Sequence, residues 1–192
     1  MFILSINTAL AACDLALLRD GAVITSRFEA MAKGQDGRLP ALLEDLLIDA
    51  EIELKHVGKI AVVTGPGSFT GIRIGVAFAR ALALGLNIPA VGVTTLEAGT
   101  PYGDRHSGPC GLAAQKRPPD RTWWVQTLAN GLGVGPPQEY PEADLDQDAM
   151  IIAAPKAKWA GERAIDLTPH KHPPRPAYAR APDAVPMRPP IR

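Results

Sequence analysis

Apolar and polar positions along the chain follow two different periods, and the boundaries between them mark the elements. Residues 2–8 (FILSINT) form a short apolar run that predicts a first strand. Residues 13–18 and 22–28 are strand-like and flank Arg19-Asp20-Gly21, a turn in which glycine is free to take positive φ, so this pair predicts a hairpin. In residues 37–52, Leu39, Leu42, Leu43, Leu46, Leu47 and Ala50 recur at i, i+3, i+4, i+7, i+8 and i+11. That is one apolar stripe of a helix, and Pro40 suits its first turn, where a missing N–H costs nothing. Residues 59–65 (KIAVVTG) are β-branched without alternation, as a strand covered on both faces should be. A second helix is predicted to follow at 70–87 and to close at Asn87 and Pro89. Residues 90–93 read as another buried strand, and Thr94 and Glu97 have capping-box spacing for one more helix.

The order β-β-β-α-β-α-β-α predicts a mixed five-stranded sheet with helices on its faces, the plan of a ribonuclease-H-like subdomain over residues 1–99. Beyond residue 100 the character changes. The stretch TPYGDRHSGPCG is rich in turn formers. Two strands are expected around the turn Arg117-Pro118-Pro119-Asp120, and one more at 150–155. From His170 to Arg192 the chain is dense in proline and predicts an extended tail. Residues 100–192 therefore read as a smaller C-terminal subdomain with a Pro-rich tail at 170–192.

Composition narrows the class. Of 192 residues, 46% are hydrophobic and 21% charged, and the formal net charge is zero. Phosphate neutralisation drives nucleic-acid binding, so a chain that grips nucleic acid alone usually carries a basic excess, and the bulk charge here offers none. Cys13 and Cys110 have no metal-ligand spacing and read as buried thiols of a reducing compartment. No run of about 18 uninterrupted apolar residues occurs, so no membrane helix is expected and the cytoplasm is the default compartment.

The stretch TGPGSFTGIRIG (64–75) looks like a phosphate loop, yet it fails both common patterns on residue type. A P-loop needs a lysine after its last glycine, and Ile72 follows Gly71. A dinucleotide fingerprint needs glycine where Thr70 stands. Backbone amides at the helix start leave an anion site open as a generic alternative. Within the predicted helix Gly71, Gly75, Ala79 and Ala83 recur every four residues and make a ridge of small side chains. Glycine inside a helix costs about 1 kcal/mol against alanine, so close approach of another element is the reading. That element is either a partner helix or the chain's own neighbouring helix.

The continuous stretch GPGSFTGIRIGVAFARALALGLNIPAVGVTTLEA, together with MFILSINTALAACDLALLRDG at the start, resembles the signature of the TsaB (YeaZ) family. The resemblance covers the first hundred residues and is looser in AAQKRPPDRTWWVQ and PPRPAYARAPDA. It implies the actin-like, Hsp70-type ATPase fold of two ribonuclease-H-like subdomains. The second subdomain here is apparently shortened, because a helical segment expected before the tail is reduced to residues 168–172. It also implies a non-catalytic subunit of bacterial tRNA threonylcarbamoyladenosine synthesis, which binds a related TsaD-like catalytic subunit through helices of the N-terminal subdomain. A TsaE-like ATPase joins that assembly, tRNA is met through the complex, and the subunit is a homodimer when alone. On this resemblance the docking surface is assigned to Gly71, Gly75, Ala79, Ala83, Arg73, Leu39 and Leu43, beside the signature loop Gly65, Pro66, Gly67, Ser68, Phe69 and Thr70.

The residues that would carry chemistry are missing. ATPase relatives place an acid at the end of the first strand, where this chain has Asn7, a poor ligand for a hard divalent cation. The catalytic paralogue holds a metal with paired histidines near its first helix, whereas MAKGQDGRLPALL contains none. His170 and His172 are a chance pair in the tail, and Ser68 lacks a nucleophile-elbow context. No catalytic residue, cofactor or metal is therefore assigned to this chain; ATP and metal belong to the partner subunits. The alternative is an independent actin-fold phosphotransferase or a glycoprotease-like peptidase. Trp123 and Trp124, adjacent in a strand, are expected on opposite faces.

Overall fold

A computed structural model describes residues 1–101, 107–114, 122–152 and 154–179. The first sheet is built from β1 (Phe2–Asn7), β2 (Ala12–Arg19), β3 (Ala22–Ala30), β4 (Val57–Val63) and β5 (Ala90–Val93), in the order β3-β2-β1-β4-β5. β1, β2 and β3 pair antiparallel, while β4 pairs parallel to both β1 and β5. This is a mixed five-stranded sheet, as the element order predicts. β1 and β4 are buried along nearly their whole length, and β4 accordingly lacks an alternation of polarity.

Helix α1 (Gln35–Asp49) and helix α2 (Phe69–Leu86) are the crossovers from β3 to β4 and from β4 to β5. Helix α1 begins two residues before the predicted start, after Gly34 in the left-handed region, so Pro40 lies inside it and not in its first turn. Leu39, Leu42, Leu43 and Leu46 of its stripe are buried. Helix α2 is capped at one end by Ser68, whose side chain accepts from Gly71 N, and at the other by Asn87 in the left-handed conformation.

The helix expected after Thr94 does not form. The capping box is made: Thr94 N donates to Glu97 Oε2 at 2.6 Å and Glu97 N to Thr94 Oγ1 at 3.1 Å. Only a 3-10 turn, Glu97–Gly99, follows. Pro101 has no N–H for the Glu97 carbonyl, and the buried Arg163 takes that carbonyl instead, with Nε at 2.6 Å.

The second sheet has β6 (Gly108–Ala114) and β7 (Thr122–Ala129) antiparallel at its centre. The turn at 117–120 lies outside the described residues. β8 (Leu132–Gly133) and β9 (Gln138–Pro141) pair with β7, and β10 (Met150–Ile151) pairs parallel to β6, shorter than the 150–155 strand expected. Its core is small: Leu96, Cys110, Leu128 and Ile152, with Trp124 and Met150 packed against them.

Helix α3 (Ala157–Arg163) leaves this sheet and packs on the first one, against β1, β2 and β4. Ala157, Ala160, Ala164 and Leu167 belong to the main core. The first sheet clamps both ends of α3. Asp14 Oδ2 accepts from Ala157 N at 2.7 Å, and Lys59 Nζ donates to the carbonyls of Ala164, Ile165 and Leu167 at 2.8–3.1 Å. The expected unit 100–192 is thus divided, because residues 155–178 complete the first subdomain. The predicted tail is docked as far as the structure describes it: Gly92 N donates to His172 O at 2.9 Å and Ala177 N to Thr64 O at 2.8 Å. Residues 180–192 lie outside the described residues.

Candidate functional site

The signature loop, Gly65 to Thr70, joins β4 to α2 and rests on the turn after β1. Ser68 N donates to Ala9 O at 2.6 Å, and Thr8 Oγ1 donates to Gly71 O at 2.7 Å. Thr95 clasps the other side, its amide on Gly65 O at 2.8 Å and its hydroxyl on Pro66 O at 2.6 Å. Real Cβ atoms keep at least 3.0 Å from other heavy atoms, and a Cβ at Gly67 or Gly71 would lie well inside that distance from the backbone oxygens of Ala9 and Thr8. The glycines are therefore needed for close approach, but the element approached is the chain's own β1–β2 turn.

The residues to which the resemblance assigns the docking surface lie mostly inside the chain. Gly71, Gly75, Ala79 and Ala83 face the first sheet and are buried, as are Leu39 and Leu43 of α1. A Cβ at Gly75 would press on the Thr8 side chain. Of these six, Leu43 and Ala83 line open surface grooves, one beside α1 and one at the C-terminal end of α2, and the other four lie inside the chain. Ile72 and Val76, on the same flank as the small residues, fill the space the glycines leave over the sheet. Arg73, the seventh residue, is exposed.

The face of α2 turned to solvent combines apolar residues with Thr70 and two arginines, Arg73 and Arg80. Phe69 is 50% exposed and Leu84 84%, and Ala77 and Ala81 are exposed between them. Six of the 18 residues of α2 are buried, and Ile74, Phe78 and Leu82 are partly buried against the main core. Its glycine and alanine stripe on the sheet marks it as a core helix of this fold. Arg73 and Arg80 are the only charged residues on it. Arg73 lies 3.7 Å over the Phe69 ring, and its Nε donates to the Tyr178 hydroxyl at 3.0 Å. Sequence reasoning missed Phe69 and Leu84 as surface residues, since apolar residues on both flanks of a helix do not reveal which flank meets the sheet.

At the end of β1 the Asn7 amide is buried and fully engaged. Its Nδ2 donates to Asp14 Oδ2 at 3.3 Å and to Pro155 O at 3.1 Å, and its Oδ1 accepts from Ala9 N at 3.1 Å. These residues do not fit the metal–phosphate group that ATPase relatives hold at this place, because the amide is neutral and its polar atoms are committed to the chain. Burial holds the Asp14 carboxyl above the ordinary carboxylate range, against the lowering effect of its bonds from Ala157 N and Asn7. Among the described residues no three His, Cys, Asp or Glu side chains gather where they could hold a metal. A cleft of about 300 Å³ lies between the sheets, lined by Leu10, Ala11, Ala32, Gly67, Ser68 and Trp124. Trp124 also packs against the small core of the second sheet.

Comparison with known proteins agrees with this geometry. The family model described as TsaD, tRNA N6-adenosine threonylcarbamoyltransferase, matches residues 29–109. The tRNA threonylcarbamoyladenosine biosynthesis protein TsaB of Escherichia coli is 42% identical over 96 residues, 50% of this chain and 41% of that relative. The match thus spans well under half of the curated relative. An uncharacterized protein of Mycobacterium bovis is 28% identical over 206 residues, covering 96% of this chain and 94% of its own length. The solved structure of YeaZ from Pseudomonas aeruginosa superposes with a TM-score of 0.72 at 22% identity, over 92% of this chain and 99% of that one. That superposition carries the fold, which is the two-subdomain α/β architecture expected from the resemblance.

Proposed function

Because the chain belongs to the TsaB (YeaZ) family, we propose that it is a non-catalytic scaffold subunit for threonylcarbamoyl transfer to N6 of adenosine 37 in tRNAs that read codons beginning with A. A TsaD-like catalytic subunit docks on it, and a TsaE-like ATPase joins the assembly. ATP and metal belong to those subunits, and tRNA is met through the complex in the cytoplasm.

The observation that carries this reading is the outer face of α2. Water-exposed apolar surface costs about 25 cal/mol per Å² relative to burial. An apolar surface that includes Leu84, 84% exposed, and Phe69, 50% exposed, favours a partner that covers it. The buried glycine stripe fixes α2 rigidly on the sheet, so the outer face is presented in one geometry, which lowers the entropic cost of docking. The committed polar groups of Asn7 and of the signature loop support a role without phosphate chemistry. Alone, the chain covers the same face by forming a homodimer, which the catalytic subunit displaces.

The test is co-expression with the TsaD-like subunit of the same organism, followed by affinity capture and size-exclusion chromatography. A stable heterodimer is expected, with the homodimer peak lost. Two proteins that elute separately at tens of micromolar would refute the scaffold.

A further inference from the structure

We propose that Arg73, held in place by Phe69 and Tyr178, is the anchor by which the docking face takes an acidic side chain of the partner, and that Tyr178 is its positioning residue. The inference rests on the reading of α2 as the docking face and names the chemistry of what docks there.

Two segments far apart in sequence meet at this point. Phe69 opens α2, Arg73 follows one turn later, and Tyr178 arrives from the Pro-rich strap at the end of the described chain. The Phe69 and Tyr178 rings stack with centroids 5.6 Å apart and an interplanar angle of 29°. The Arg73 guanidinium carbon lies 3.7 Å over the first ring and 6.0 Å from the second, and Nε donates to the Tyr178 hydroxyl at 3.0 Å. The strap is itself fastened, by the bonds from Gly92 to His172 and from Ala177 to Thr64. An exposed arginine normally samples many rotamers, and ordering it on binding costs free energy. Here that ordering is done before any partner arrives.

The guanidinium is fixed but its charge is not neutralised. Among the described residues no carboxylate lies within ion-pair distance of Arg73 or of Arg80, and α2 contains no acidic residue at all. The two arginines are seven residues apart, about 10 Å along the axis, with Ala77 between them and Leu84 beyond. The complement of this surface is an amphipathic segment with an apolar stripe and carboxylates spaced about two turns apart. Arg and aromatic side chains at a desolvated centre are what carries most interface energy, and the free N–H groups of Arg73 fit a carboxylate in a fork. A second copy meeting α2 with α2 would bring unpaired guanidiniums together, so self-association is the weaker pairing. A nucleic-acid surface would present more cations and fewer apolar side chains than this one.

The experiment is a calorimetric titration of the purified chain against the purified TsaD-like subunit, with a parallel arm against a tRNA transcript. The variants are Arg73→Ala, Tyr178→Ala, Tyr178→Phe, the Arg73→Ala/Tyr178→Ala double variant and Leu84→Glu, each checked by thermal melting. Arg73→Ala is expected to weaken subunit binding at least about tenfold with little change in melting. Tyr178→Ala should lose part of that affinity, Tyr178→Phe less, since it keeps the stack and loses only the hydroxyl. The double variant should be no worse than Arg73→Ala alone, because both changes remove one anchor. If Arg73→Ala binds like the parent while Leu84→Glu does not bind, the anchor is refuted and the docking face stands. If neither change matters, the docking face itself is refuted. Tyr178→Ala binding like the parent beside a weakened Arg73→Ala would remove Tyr178 from the proposal. A loss confined to the tRNA arm would replace the protein partner with nucleic acid.

Discussion

Replacing Gly71 and Gly85 by alanine, one at a time, separates the two uses of glycine in a single helix. Alanine is the better helix former by about 0.5 to 1 kcal/mol at either position. Gly85 is exposed and a Cβ there meets nothing within 4 Å, so Gly85→Ala should keep that gain. At Gly71 the new Cβ would force the Thr8 carbonyl to retreat by about 1 Å, in the buried turn between β1 and β2. Overpacking of this kind costs about 1 to 3 kcal/mol, and displacing Thr8 also strains the hydroxyl bond to Gly71 O, worth about 0.5 to 1.5 kcal/mol. The two variants should therefore differ by about 2 to 4 kcal/mol, with opposite signs relative to the parent. For a chain of this size 1 kcal/mol moves the melting temperature by about 2 to 4 °C. Calorimetry should place Gly85→Ala slightly above the parent and Gly71→Ala clearly below it. Gly71→Ala melting at or above the parent would mean that the stripe does not press on the chain's own turn.

Other consequences can be checked on the single chain. Burial, and then the Glu29 charge, push the Cys13 thiol up to about 11, so its thiolate is about 0.1% of the total at pH 8; a thiol reagent should label Cys13 only after denaturation, and labelling in the native state at the rate of a free thiol would contradict its burial. The Asp14 carboxyl is raised in the folded state, so its contribution to stability is fully present below its unfolded value near pH 4 and is lost as pH rises through the folded value; the stability of Asp14→Asn relative to the parent should rise over that window, and a flat difference would reject the shift. Lys59→Met should destabilise by about 1 to 3 kcal/mol in urea unfolding, since three carbonyls at the end of α3 lose their donor, whereas an unchanged midpoint would make that clamp dispensable. With ATP and Mg2+ the isolated chain should release phosphate at the rate of a buffer blank, and turnover that scales with protein would favour an independent phosphotransferase.

The first sheet was legible in the sequence because its periods are local: a hairpin turn at Arg19-Asp20-Gly21, one leucine stripe in α1, and β-branched runs without alternation in β4 and β5. The orientation of α2 was not. Both of its flanks are apolar, and the feature that turns the small residues inward is the backbone of Thr8 and Ala9, about 60 residues earlier. The return of α3 to the first sheet was also hidden, since it depends on Asp14 and Lys59 meeting residues more than 100 positions away. The Thr94–Glu97 box shows a further limit: its hydrogen bonds form as read, but a proline and a distant arginine decide that no helix follows. In the candidate region, the exposed face around Phe69 and Leu84 appeared only once the fold showed which side met the sheet.

The central claim is that the outer face of α2 docks the catalytic subunit, and Leu84 tests it most directly, being 84% exposed and contributing little to the fold. The measurement is the dissociation constant of Leu84→Glu against the TsaD-like subunit, with the melting temperature of the variant measured beside it. A buried glutamate facing an apolar partner surface should cost at least about 2 kcal/mol, or roughly a 30-fold loss of affinity, at an unchanged melting temperature. Parental affinity in the folded variant would contradict the account and move the interface to another surface.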